Sequence, residues 1–201
     1  MAQHGSQYSQ QNGIPRFRPN IEHKGATTTP EWMVQIDEYL SSTIEGTAEN
    51  PLPEGAGPID FTICAELFGW RDEQARLTKA STASQLFSSA SVQQSTVGII
   101  IPSASYIPNL EQLMYTGGNI REIHLVRLGN IEQLNVPLQI ISYTTSKIET
   151  LQQELDEMIL YFRPATRQNT NYKYSQEGLL EGQNVSSFDF IRGTSTFEPG
   201  T

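Results

Sequence analysis

The chain has little of what most enzymes and metal proteins use. Its 201 residues include a single cysteine, Cys64, and three histidines, His4, His23 and His124. One cysteine excludes an intrachain disulfide and the multi-cysteine zinc motifs. His4 and His23 fall in the polar N-terminal stretch, away from His124, so no histidine cluster is offered for metal or general-base chemistry. Apolar residues make up 37%, below the usual globular share. No apolar run approaches the roughly 20 residues needed to span a bilayer. The opening residues lack the apolar centre of a secretory signal. These absences lead us to expect a soluble protein, made in the cytoplasm and not inserted in a membrane.

Positive charge is also scarce. Lysine and arginine number 13 against 22 acidic residues, a net charge of −9. Residues 1–30 hold Arg16, Arg18 and Lys24 against Glu22, which is +2 and leaves −11 on the rest. An acidic body is unsuited to nonspecific duplex binding, which needs a basic surface, so nucleic acid is not an expected partner.

Nucleophile elbows, phosphate loops and dinucleotide-binding glycine patterns are absent from the sequence. Two carboxylate pairs occur, Asp72-Glu73 and Asp156-Glu157. Neighbours on a strand point to opposite faces, so neither pair forms a dyad, and both read as solvated surface. Cys64, in FTICAELF, reads as a small buried hydrophobe. His124 alternates with apolar residues and reads as a core or interface histidine. No catalytic residue, cofactor or metal site is expected, and the protein is not expected to be an enzyme.

What is present is a series of strand-like runs. Residues 1–30 are rich in Gln, Ser, Gly, Asn, Thr and Pro, and read as a flexible arm. Residues 31–195 read as one domain and 196–201 as a short tail. EWMVQIDEYL (31–40) is a first strand candidate, followed by a loop over 42–58. IDFTICAELFGW (59–70) places Ile59, Phe61, Ile63, Ala65 and Leu67 on one strand face. Residues 71–94 read as a long excursion carrying Leu77, Leu86 and Phe87.

TVGIIIP (96–102) is a strand ending at proline. A short helix follows, with Ser105 as its N-cap, Pro108 in its first turn and Gly117-Gly118 at its stop. IREIHLVRL (120–128) sets Ile123 and Leu125 opposite His124, Val126 and Leu128. One face then meets the core and the other a neighbour. VPLQIISYTTSKIETL (136–151) opposes Leu138 and Ile140 to Ile141 and Tyr143. LDEMILYFRP (155–164) reads as a central strand, and TNYKYSQEG to SSFDFIRG as a terminal pair. The expected fold is mainly β: a barrel or sandwich of two packed sheets with one short α-helix, a long N-terminal arm and an extended loop.

Three stretches, VGIIIPSASYIPNLEQLMYTGGNIREIHLVRL, VPLQIISYTTSKIETLQQELDEMILYFRPATRQNTNYKY and YSQEGLLEGQNVSSFDFIRGTS, resemble one family in order and turn placement. That family is Hcp, the haemolysin-coregulated tube proteins of bacterial type VI secretion, related to contractile phage tail-tube proteins. IDFTICAELFGW resembles its early strand and aromatic-glycine corner. The likeness covers residues 59–195. The polar arm before residue 31 and the 42–58 and 71–94 loops depart from the family pattern.

The resemblance implies homohexameric rings stacked head to tail into a hollow tube. It implies a contractile sheath around the tube, a spike at its tip and secreted effectors as partners, with release from the cell on firing. It would make the 71–94 excursion a ring-stacking arm, with Leu77, Leu86, Phe87 and His124 as candidate subunit contacts. Ser-, Thr- and Gln-rich strand faces would line the lumen. An alternative from the residues alone is a filamentous virus coat protein that holds nucleic acid with its N-terminal arm. A small hydrolase or sugar-binding β-sandwich is a third reading, without a visible constellation to carry it.

Overall fold

A computed structural model describes residues 9–11, 14–16, 31–37, 39, 59–78, 90–131 and 134–200. Within the N-terminal stretch, β1 (Ser9–Gln11) and β2 (Ile14–Arg16) pair as a short antiparallel ladder. The rest of that stretch and the 42–58 loop lie outside the described residues.

The body begins with β3 (Trp32–Ile36), β4 (Cys64–Glu66) and β5 (Gly69–Arg71). The long strand expected over 59–70 is broken. The Asp60 carboxylate accepts the Thr62 N–H at 2.9 Å and its hydroxyl at 2.6 Å, which winds Phe61–Ile63 into a 3-10 turn. An aspartate that satisfies a nearby N–H competes with the strand ladder. The expected single face is therefore split. Ile59 and Phe61 join a small core with Cys64, whereas Ala65 and Leu67 join the main one.

The next strands, β6 (Gln74–Thr78) and β7 (Ala90–Gln94), pair only with each other, from Gln74↔Gln94 to Thr78↔Ala90. The 71–94 excursion thus has a structure of its own at its base, a two-stranded ribbon.

β8 (Val97–Pro102) leads to α1 (Ile107–Thr116), the one α-helix among the described residues. Its N-cap is Tyr106, with no side-chain cap, so the expected cap at Ser105 is corrected. The Tyr106 hydroxyl instead donates to the Pro102 carbonyl. Gly117 closes the helix at φ 66°, and the Gly118 N–H reaches the Leu113 carbonyl at 3.1 Å.

β9 (Asn119–Ile131) and β10 (Leu134–Glu154) form a long antiparallel pair, followed by β11 (Glu157–Arg163), β12 (Thr166–Tyr174), β13 (Leu180–Asp189) and β14 (Thr194–Glu198). β14 pairs with β13, so part of the expected 196–201 tail belongs to a strand.

The 21-residue β10 shapes the body. Residues Gln139–Thr144 pair with β12, and Lys147–Glu154 pair with β11. Between them Thr145 takes φ 51°, in the left-handed region, and the strand changes partner there. β4 and β5 make a second corner, since β4 pairs with β3 and β5 with β8. Strands that change partners at bends are how two sheet layers share a sandwich. The described residues form a mainly β sandwich with one α-helix, not a closed barrel of whole strands.

The main core lies between the layers: Val34 and Ile36, Ile99 and Ile101, Ile123 and Leu125, Ile141 and Tyr143, Leu160 and Phe162, with Leu110 of α1. Tyr143 and Phe162 meet edge to face at 5.3 Å. The opposition of Ile123 and Leu125 to Val126 and Leu128 is as expected. The second face, however, is covered by the protein's own Met33, Ile59, Phe61, Cys64 and Ile140. The neighbour that the sequence reading expected on this face is supplied by the same chain.

Candidate assembly surfaces

Directly opposed residues in an antiparallel ladder share a face. One row runs across five strands as Glu122, Thr144, Thr166, Asp189 and Thr194. The next runs as His124, Ser142, Gln168, Ser187 and Thr196. The two rows make one polar face. Thr144 and Thr166 hydrogen-bond through their hydroxyls, as do Ser187 and Thr196 at 2.6 Å. Short hydroxylated side chains that bond each other leave few stems for another protein to grip.

His124 begins the second row and is only 4% exposed. Its Nδ1 sits 2.8 Å from the Ser142 hydroxyl, and its Nε2 lies 3.4 Å from Glu122. Burial pushes its pKa below the usual 6.5, against the upward pull of Glu122 and Asp37. Its ring is enclosed by its own chain, which fits the core side of the core-or-interface reading of His124. Burial likewise pushes the Cys64 thiol up to about 12, with Asp60 adding to the effect.

A second surface is the β6–β7 ribbon. Leu77 lies on β6 opposite Ser91. Leu86 and Phe87 lie outside the described residues. At the ribbon root, the Asp72 side chain is 3% exposed and pairs with Arg167 Nε at 2.6 Å. The same carboxylate accepts the Tyr143 hydroxyl at 2.9 Å and the Gln94 side-chain amide at 2.5 Å. The reading of Asp72 as solvated surface is therefore corrected. Its partners come from β7, β10 and β12, and no local pattern in the sequence announces them.

A third surface is the outer sheet of β13 and β14, where every residue of β14 is exposed and its outer edge is free of partners among the described strands. Phe197 and Ile191 stand out in solvent there, as does Leu155 at the tip of the β10–β11 hairpin. Among the described residues no group of three or more His, Cys, Asp or Glu is placed to hold a metal ion. No helix among them is long and apolar enough to cross a membrane.

No family model and no curated protein matches the sequence. The fold does have solved relatives. A structure described as a type six secretion system protein matches with a TM-score of 0.63 at 10% identity, over 84% of this chain and all of its own. Hcp1 from Salmonella typhimurium matches at 0.54 and 14% identity, over 82% of this chain and 97% of its own. A type VI secretion system effector from Yersinia pestis matches at 0.53 and 12%, over 79% and 98%.

Proposed function

From the Hcp fold that this chain has, we propose that it is a structural subunit of a secretion or injection tube. In this reading it forms homohexameric rings that stack head to tail, within a contractile sheath and under a spike, and it carries effectors. It is made in the cytoplasm and leaves the cell when the machine fires. The observation that carries the reading is the match to type VI secretion structures over nearly their whole length, at a TM-score up to 0.63.

The surfaces fit this use. The free β14 edge and its exposed apolar side chains suit closure of a ring, in which every subunit edge finds a partner. The two polar rows suit a lumen wall, because a wet face of short hydroxyls and amides gives passing cargo little to adhere to. The ribbon suits contact between successive rings.

Native mass spectrometry tests the reading. A species at six times the 22.5 kDa subunit mass is expected. A monomer at every protein concentration and salt would overturn it.

A further inference from the structure

The ribbon that the tube reading uses for stacking joins the body at one point, and the chemistry of that point is unusual for the molecule. β6 and β7 pair with no other described strand, so their direction is set at the root. There the Ser95 N–H and hydroxyl both donate to the Glu73 carbonyl, at 3.0 and 2.9 Å, which closes the ribbon on itself. Glu73 is ion-paired to Arg71 of β5 at 2.6 Å, and a buried group beside it ties this closed unit to β10 and β12. Asp72 receives Gln94 from the ribbon on one oxygen, and Tyr143 and Arg167 from the body on the other. Tyr143 and Arg167 are opposed in the β10–β12 ladder, so their two donors arrive from a rigid platform. The platform sits beside Thr145, the corner at which β10 changes partner from β12 to β11.

We infer that Asp72 and Arg167 form a latch that holds the β6–β7 ribbon at a fixed angle to the body, and so act as positioning residues for ring stacking. The inference rests on the tube reading for its use, but the latch itself is a property of the single chain. A buried carboxylate with three donors has one low-energy placement, and it holds the start of β6 and the end of β7 together with the body. A ribbon with its angle set in advance loses less freedom when it docks.

The test compares the wild type with the double variant Asp72→Asn, Arg167→Gln. That variant removes both charges and avoids stranding one of them in the interior. Hydrogen exchange and thermal melting are measured on both, and tubes are counted by electron microscopy. The latch requires amides of 74–78 and 90–94 to exchange about tenfold faster in the variant, with the β9–β11 amides unchanged. It also requires rings to persist while stacked tubes are lost. Unchanged exchange in the ribbon overturns the latch, and so does stacking at the wild-type concentration. A single Tyr143→Phe exchange gives a second measure, with a smaller acceleration confined to the same amides. A wild type that makes neither rings nor tubes contradicts the tube reading alone, since the exchange comparison still decides the latch.

Discussion

His124 and Ser142 face each other across the β9–β10 ladder, with the imidazole Nδ1 2.8 Å from the hydroxyl. The pair opens a polar row that continues to the sheet edge, yet the imidazole itself is inside the protein. Glu122 lies 3.4 Å away on the same strand, partly exposed, and Asp37 acts on the ring from beyond β3. Both would favour a charged ring, but loss of water outweighs them and the neutral form is preferred.

This preference ties stability to pH. The folded pKa of His124 is below 6.5, so the unfolded chain binds the proton more tightly. The stability this contributes is fully present above 6.5 and fades as pH falls through the lower folded pKa. Urea midpoints of the wild type should therefore drop more between about pH 7.5 and 5.5 than those of His124→Gln. Parallel profiles for the two proteins would contradict this.

Cys64 should be chemically silent in the folded protein. Its thiol is pushed up to about 12 by burial, and its hydrogen is directed to the Asp60 carbonyl at 3.3 Å. The thiolate is the reactive form, so a disulfide reagent at neutral pH should label it only at the rate of unfolding. Rapid labelling of native protein would refute the placement of Cys64 in the small core.

Much of the fold was legible in the sequence because burial repeats every second residue. Ile123 and Leu125 against Val126 and Leu128 is such a case, and so is Ile140 against Ile141 and Tyr143. Gly117-Gly118 marked the helix stop for a local reason as well, since glycine accepts the left-handed turn. The misreadings have another source. The sequence over 71–94 carries too few apolar residues to show a period, and the Asp72 carboxylate is held by Arg167, 95 positions away. Asp60 broke a good strand pattern by accepting both the N–H and the hydroxyl of Thr62. Nothing in the run around His124 told whether its second face meets another subunit or, as found, residues of the same chain.

Two leucines of equal chemistry should respond very differently to truncation. Leu110 is fully buried on α1 against the main core, and Leu155 is 96% exposed at a hairpin tip. Leu110→Ala should cost about 2–5 kcal/mol by chemical denaturation, from lost burial and the cavity left behind. Leu155→Ala should stay within about 0.5 kcal/mol. Similar losses at both sites would contradict the packing of α1.

The corner of β10 holds backbone strain. Thr145 is β-branched and sits at φ 51°, a region its side chain disfavours. Thr145→Asn, which tolerates that conformation, should raise stability by about 0.5–1 kcal/mol. A loss of stability in the denaturation midpoint would mean that the corner is not strained.

The central claim is that this chain builds a hollow tube from rings, and electron microscopy of the purified protein over a range of concentrations tests it most directly. The account predicts six-fold rings at low concentration and stacked, hollow tubes at high concentration. Single particles of monomer size at every concentration, with no ring in any class average, would contradict it.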